Sequence, residues 1–208
     1  MRPLVVTMFT SMDGVVQAPG GPDEDTSGGF GLGGWLVPHF DEALGAQIDA
    51  WFGPVSGFLL GRGTYEIFAG SWPQVPADDP VSKALDELPK HVASRTLRGP
   101  LEWAHSTLLD GDVPAAVRRL KADGEGELQV HGSPGLAQTL LAEDLVDEIR
   151  LVVAPVVLGE GKRLFGQGVR PGGWRLAASS TTPRGVLLCS YTRAGEVETG
   201  SMGPEYED

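Results

Sequence analysis

The sequence has few cysteines, few basic residues and no long apolar run. Its single cysteine, Cys189, excludes an intramolecular disulfide, so we expect a reducing, cytoplasmic environment. Acidic residues (28) outnumber basic ones (16) and give a net charge of −12, which argues against nucleic acid or an anionic membrane as a partner. No stretch approaches the ~18 apolar residues of a membrane helix, and the N-terminus predicts a strand, not a secretion signal. The four histidines and the acids show no metal-ligand spacing, so we expect a small-molecule substrate and no metal site.

Strand-like and helix-like segments alternate along most of the chain. Apolar runs predict strands at 4–10, 57–60, 91–94, 101–105, 128–130, 148–153, 174–180 and 186–193. Amphipathic or capped segments predict helices at 40–52, 65–69, 79–88, 112–122 and 134–141. We therefore expect one α/β domain over residues 1–195, with a mixed, mostly parallel central sheet, helices on both faces and a C-terminal antiparallel hairpin.

Two segments depart from this alternation. Residues 17–34 are rich in glycine and proline, which predicts an irregular loop, either a mobile lid or a floppy insertion. Residues 196–208 are acidic with few apolar positions, which predicts a flexible tail.

The stretch 126–141 is a candidate anion site. A short apolar strand runs into a loop in which Ser133 suits a helix N-cap and Pro134 suits the first helical position. Free N–H groups there would face the positive end of the helix dipole, where a phosphate is favoured. They belong to Gly132, Ser133, Gly135 and Leu136. An ordinary strand-to-helix turn explains the same residues.

Two further strand-to-loop junctions carry an arginine. In Leu60-Gly61-Arg62-Gly63-Thr64, the glycines allow a close backbone approach, Thr64 can cap a helix and Arg62 can hold an anion. Ser94-Arg95-Thr96 offers two hydroxyls and a second arginine after another strand. Ligands of parallel sheets bind at the carboxyl ends of the strands, so these junctions should share one edge with the 126–141 stretch. This placement suits a dinucleotide, with a phosphorylated sugar as the alternative.

Six short motifs follow one another in a specific order. They are Ser11-Met12-Asp13-Gly14, Leu60-Gly61-Arg62-Gly63-Thr64-Tyr65-Glu66, Ser94-Arg95-Thr96-Leu97, Val130-His131-Gly132-Ser133, Leu145-Val146-Asp147-Glu148 and Pro155-Val156-Val157-Leu158-Gly159-Glu160-Gly161. The series resembles the dihydrofolate reductase-like superfamily. More narrowly, it is similar to the reductase domain of the bifunctional riboflavin-biosynthesis deaminase-reductase and its stand-alone relatives, over roughly residues 2–194.

The resemblance implies NADPH as the hydride donor. The residues implied near the adenosine and its 2′-phosphate are Gly61, Arg62, Thr64, Ser94, Arg95 and Thr96. Those implied at the pyrophosphate are Gly132, Ser133, Gly135 and Leu136, with Gly14 near the nicotinamide. His131 departs from the family pattern, which commonly has glycine at that position.

The resemblance also points to candidate catalytic and substrate-binding residues. Dihydrofolate reductases carry an acid shortly after a Trp-x-x-Pro segment, and here Asp41 follows Trp35-Leu36-Val37-Pro38, one residue later than in those enzymes. Asp41 is thus one candidate acid and Asp13 the other, although a helix start and a turn explain both without chemistry. Trp35 and His39 are the candidate substrate-binding residues.

We therefore expect an NADPH-dependent reductase of a small heterocycle, pteridine-like or ribosylaminopyrimidine-like. The alternative from another class is a non-catalytic dinucleotide-binding protein, a sensor or a sequestering protein. A buried acid within reach of the nicotinamide would favour the enzyme. The relatives imply a homodimer, to which the apolar C-terminal hairpin could supply an interface.

Overall fold

An eight-stranded sheet forms the centre of the computed structural model, which describes residues 1–76, 78–166 and 169–202. Its strands are β1 (Leu4–Ser11), β2 (Val55–Gly61), β3 (Lys90–Ala93), β4 (Ser106–Leu109), β5 (Glu127–Val130), β6 (Glu148–Ala154), β7 (Gly173–Thr181) and β8 (Leu187–Gly195). They lie in the order β4-β3-β2-β5-β1-β6-β8-β7. The first six of these are parallel, and β8 and β7 are antiparallel. The predicted α/β fold, with its mostly parallel sheet and terminal hairpin, is confirmed.

Five α-helices connect the strands. They are α1 (Glu42–Phe52), α2 (Arg62–Ser71), α3 (Pro80–Glu87), α4 (Val113–Ala122) and α5 (Pro134–Ala142). An aspartate N-cap begins three of them: Asp41, Asp79 and Asp112 accept the N–H groups of Leu44, Ser82 and Ala115. Each cap satisfies a backbone donor that has no partner inside its helix.

The helices cover both faces of the sheet. On one face, Val117 of α4 and Leu140 of α5 pack against Leu4, Val6 and other β-strand residues. On the other face, side chains of α1, α2 and α3 pack against β2, with Phe58 and Leu60 fully buried. Among the described residues, no helix has both the length and the apolarity to cross a bilayer.

The prediction of a strand at 101–105 is wrong, since the structure has its fourth strand, β4, at Ser106–Leu109. Leu101 and Trp103 are apolar for another reason: they belong to the connection that covers the cluster around β2. The Trp103 ring lies 6.3 Å from the Tyr65 ring, and the Lys90 ammonium lies 4.6 Å from the Trp103 ring centre.

The loop over residues 17–34 is held in place by internal contacts. The Gln17 amide donates to the carbonyl oxygens of Asp25 and Ser27 at 3.0 and 2.9 Å, and its oxygen accepts the Lys162 N–H at 3.0 Å. Phe30, which belongs to the loop, is buried in the core. These contacts argue against a floppy insertion, and a lid role stays a prediction. Of the predicted tail, residues 196–202 are exposed and irregular, and 203–208 lie outside the described residues.

Candidate functional site

Four loops meet at the carboxyl edge of the parallel strands. β3, β2, β5 and β1 are consecutive in the sheet and run in the same direction. The segments that follow them are 94–97, 62–64, 131–135 and 12–14. The sheet thus brings the three predicted junctions and the Asp13-Gly14 turn to one edge.

The loops after β2 and β5 are in direct backbone contact. The Gly61 N–H donates to the Gly132 carbonyl at 2.9 Å, and a Cβ on Gly61 would lie 2.8 Å from the Ser133 nitrogen. Gly132 has a φ of +133°, and a Cβ there would overlap the Thr64 hydroxyl. The peptide bond between Gly132 and Ser133 is cis. Glycine is required at both positions, because any side chain would separate the two loops.

The start of α5 offers fewer free N–H groups than predicted. The Leu136 N–H donates to the Ser133 carbonyl at 3.0 Å, and Leu136 is buried, so its expected contact with a phosphate is wrong. In the part of the chain that the structure describes, the Gly135 N–H has no protein acceptor, and the space beside its Cα is open. Gly135 is therefore available to an anion.

The loops after β2 and β3 are joined by Arg62. Its Nε lies 2.7 Å from Glu66 Oε1, and its Nη1 donates to the Thr96 hydroxyl at 2.8 Å. The Ser94 hydroxyl accepts the Thr96 N–H at 3.1 Å, which shapes the loop after β3. Arg95 in the same loop is exposed. Two guanidinium groups and several hydroxyls thus lie along this part of the edge.

Asp13 ties the turn after β1 to the loop after β6. Its carboxylate accepts the N–H groups of Leu158 and Gly159 at 3.0 and 2.9 Å, and the Arg163 guanidinium lies 3.1 Å away. The Ser11 hydroxyl donates to it at 2.7 Å. The Ser11 hydroxyl and the Leu158 N–H hold the pKa of Asp13 far below its usual range. These contacts fix the turn that contains Gly14, and a catalytic role for Asp13 stays a prediction.

Asp41 is the N-cap of α1. Its carboxylate accepts the Leu44 N–H at 2.9 Å and the Arg184 N–H at 3.0 Å. These contacts, with the Leu44 N–H the largest, lower the pKa of Asp41. Asp41 therefore joins α1 to the β7-β8 turn, and a catalytic role for it stays a prediction. The helix-cap interpretation is the one that its contacts support.

Trp35 belongs to the core. It is only 7% exposed, packs with Leu44 and Val186, and donates its indole N–H to the Gln17 carbonyl at 2.7 Å. The expectation that Trp35 contacts substrate is therefore wrong, because its surface is already covered. His39 ends a short 3-10 helix (Val37–His39) and is partly exposed, so it stays a candidate.

A buried polar network that the sequence analysis did not identify leads to the Gly132-Ser133 turn. Arg150 pairs with both oxygens of Glu127 at 2.9 and 2.7 Å and with Glu148 at 2.7 Å. The Gln129 amide nitrogen donates to Glu127 at 2.8 Å, and its oxygen lies 2.9 Å from His131 Nε2. The sequence signal that could have identified this network is the alternation of polar residues along β5.

His131 is held neutral at the end of this network. Its ring packs 5.0 Å from the Phe52 ring and 5.8 Å from the Phe58 ring. Burial, helped by Arg150, lowers the pKa of His131 to about 4. Because the Gln129 oxygen is an acceptor, we assign the imidazole proton to Nε2. The bulk of His131 is thus accommodated under α1, and Gly132 keeps its contact with Gly61.

Comparisons with known proteins agree with this architecture. The family model of the RibD C-terminal domain matches residues 2–188. A protein from Shewanella sp. PV-4, solved as a candidate riboflavin biosynthesis protein, aligns at a TM-score of 0.72 with 23% identity, covering 92% of this chain and 99% of that one. Dihydrofolate reductase from Enterococcus faecalis, complexed with NADP(H), aligns at 0.58 with 12% identity, over 92% and 96% of the two chains.

A third structure is a bifunctional protein. It is the diaminohydroxyphosphoribosylaminopyrimidine deaminase/5-amino-6-(5-phosphoribosylamino)uracil reductase from Thermotoga maritima, with a TM-score of 0.60 and 15% identity. The alignment covers 93% of this chain and 57% of that one. At these identities the three structures show a shared fold.

Proposed function

Since the chain belongs to the family of RibD C-terminal domains, we propose that it is an NADPH-dependent reductase of a small pyrimidine-like or pteridine-like compound. The observation that carries the proposal is the contact between the Gly61–Thr64 and Gly132–Gly135 segments at the carboxyl edge, with Arg62 linking them to Thr96. The Thermotoga and Enterococcus proteins, whose names include a uracil derivative and NADP(H), support the substrate class and the cofactor.

The residues at this edge fit a phosphorylated dinucleotide. Arg62 and Arg95 are exposed cations in a chain whose net charge is −12, and the Gly135 N–H has open space beside it. The first turns of α2 and α5 add the positive ends of two helix dipoles. The chemistry of the donors therefore matches a ligand with several phosphate groups.

We assign the roles as follows. The Ser133 and Gly135 N–H groups bind the pyrophosphate, and Pro134, which has no N–H, contributes no hydrogen bond. Arg62, Arg95 and the Ser94 and Thr96 hydroxyls bind the adenosine 2′-phosphate, with Gly61 and Thr64 beside the adenosine. Gly132 allows the close approach of the two loops, and Gly14 approaches the nicotinamide. When bound, NADPH supplies the hydride, and the protein orients it and excludes water.

The proton that accompanies the hydride comes from solvent in this proposal. Both candidate acids, Asp13 and Asp41, accept backbone N–H groups and have lowered pKa values. Hydride adds to the carbon of a C=N or C=O bond, and water protonates the nitrogen or oxygen. The structural contacts that both carboxylates make also favour the alternative, a protein that binds the dinucleotide without turnover.

Isotope transfer separates these two functions. NADPH carrying deuterium at the reactive carbon of the nicotinamide is incubated with ribosylaminopyrimidine and dihydropteridine compounds, and the products are examined by mass spectrometry. Deuterium in a product, together with oxidised cofactor, supports the reductase. Saturable NADPH binding without deuterium transfer to any compound of either class supports the binding protein instead.

We also propose that the protein is a homodimer that pairs through its sheet edge. The nine residues of β7 end the sheet, and most of them, including Leu176, are exposed. An open edge of this length is a template for strand pairing. A monomeric mass in light scattering would contradict the dimer.

A further inference from the structure

The Arg62 side chain is shared between two partners that differ in charge. Glu66 lies one helical turn further along α2, and its Oε1 is 2.7 Å from Arg62 Nε. The uncharged Thr96 hydroxyl accepts from Nη1 at 2.8 Å. The two ion-paired side chains are 50% and 46% exposed, so both can reach a ligand at this edge.

We propose that Glu66 determines cofactor selectivity by competing with the 2′-phosphate for Arg62. This inference rests on the proposed function and names a residue to which neither the motif resemblance nor the fold assigns a role. The Arg62–Glu66 pair reads the 2′ position of the adenosine ribose, and its two members favour different cofactors.

The competition follows from charge and geometry. The i, i+4 spacing on α2 places the Glu66 carboxylate beside the Arg62 guanidinium. A phosphate dianion that approaches Arg62 Nε must displace Glu66, and it meets a like charge if Glu66 stays nearby. NADPH therefore binds more weakly than Arg62 and Arg95 alone would allow.

A 2′-hydroxyl meets the opposite situation. It can donate a hydrogen bond to the Glu66 carboxylate, which is how acidic residues recognise the ribose of NADH in other dinucleotide sites. Arg62 and Thr96 need not move, because the ribose 2′-hydroxyl hydrogen-bonds to the Glu66 carboxylate and not to the Arg62 guanidinium. Glu66 thus weakens NADPH binding and supports NADH binding, which makes the site less selective than its two arginines suggest.

The chain contains a matched control for this pair. Arg118 and Glu143 also form an ion pair at 2.7 Å, and their side chains are 51% and 45% exposed. Glu143 lies at the C-terminal end of α5, away from the four loops at the carboxyl edge. Glu143→Gln therefore removes the same charge from an ion pair of equal length and similar exposure, here between α4 and α5, at a distant position.

The test compares dissociation constants of NADPH and NADH, measured by nicotinamide fluorescence, for wild type, Glu66→Gln and Glu143→Gln. We expect Glu66→Gln to tighten NADPH binding about two- to fivefold, the size of one solvent-exposed charge interaction, and to weaken NADH binding. The gain should shrink as salt is raised, because exposed charges are screened. Glu143→Gln should leave the ratio of the two constants unchanged.

A double substitution shows whether the effect passes through Arg62. In an Arg62→Ala background, Glu66→Gln should have less than half of its effect on NADPH, because the competed cation is absent. A ratio that Glu66→Gln leaves unchanged, while wild type binds both cofactors, overturns the inference alone. Failure of wild type to bind either cofactor overturns the proposed function as well.

Discussion

The hydroxyl groups of Thr64 and Ser133 lie 3.4 Å apart, although 69 positions separate the two residues in the sequence. One belongs to the first turn of α2 and the other precedes α5. The contact places the starts of two helices side by side at the carboxyl edge of β2 and β5. One ligand can therefore use both helix starts, which a single strand-to-helix turn would not permit.

Replacing Gly61 by alanine should destabilise the protein and weaken cofactor binding together. The new Cβ would lie 2.8 Å from the Ser133 nitrogen and would force the two loops apart. Overpacking of this kind costs about 1–3 kcal/mol in the free energy of unfolding. Urea unfolding measures the stability, and a fluorescence titration measures NADPH binding.

Gly63→Ala is the control for the same loop. Its Cβ would lie 3.7 Å from the Ser133 hydroxyl, an ordinary contact, and it would replace a glycine within α2. We expect stability to be unchanged or to rise by up to about 1 kcal/mol. If both variants lose stability equally, the close packing at Gly61 does not explain its effect.

The double variant Arg62→Ala/Arg95→Ala tests the 2′-phosphate assignment. Loss of two exposed cationic contacts should weaken NADPH binding about 10- to 100-fold. NADH binding should change far less, because NADH has no 2′-phosphate. If the variant still prefers NADPH over NADH, Arg62 and Arg95 do not bind the 2′-phosphate, although the proposal that the protein binds a dinucleotide is unaffected.

His131 should make stability fall as the pH is lowered. Its pKa is about 4 in the folded protein, against an ordinary histidine pKa of 6.5, so the unfolded chain binds more protons between these values. The contribution is close to zero above about pH 7 and grows to a loss of about 3 kcal/mol near pH 4. Urea unfolding at pH 7 and at pH 4.5 measures it.

Comparison with His131→Gln isolates this group from the carboxylates, which titrate in the same range. The variant keeps a polar partner for Gln129 and has no proton to gain. Between the two pH values, the free energy of unfolding should fall by about 2–3 kcal/mol less in the variant than in wild type. Parallel pH curves for the two proteins would mean that His131 is not buried in its neutral form.

Asp13→Asn tests the structural role of this acid. The asparagine side chain has one acceptor oxygen, so it cannot accept both the Leu158 and the Gly159 N–H groups. It also carries no charge that attracts Arg163, and the melting temperature should therefore fall. The pH profile of hydride transfer should keep its shape, because Asp13 donates no proton. Loss of one limb of that profile, in a folded variant that still binds NADPH, would make Asp13 the proton donor.

Local patterns were sufficient to predict most of the fold. Asp79-Pro80 and Asp112 mark helix starts that the structure places within one residue of the prediction, since an N-cap and a first-turn proline act over only a few positions. Residues 101–105 were assigned wrongly because Leu101 and Trp103 are apolar to cover a core, and periodicity does not distinguish this from a strand.

The contacts of the site residues were less predictable. That the loops share an edge follows from the parallel strands, but the partners of each side chain come from distant parts of the chain. Asp13 contacts Arg163, and Asp41 contacts the Arg184 N–H; both contacts depend on how the loop after β6 and the β7-β8 turn pack. Trp35 was misassigned for the same reason, because the Gln17 carbonyl that accepts its indole N–H lies across the 17–34 loop.

The most direct test of the account is a titration of the purified protein with NADPH, followed by the amide resonances of the chain. We predict saturable binding in the micromolar range, with the largest shifts at Ser133, Gly135, Arg62 and Thr96. Amides near Trp174, at the far edge of the sheet, should not shift. Absence of binding below millimolar NADPH, or shifts confined to residues away from the carboxyl edge of β2, β3 and β5, would contradict the account.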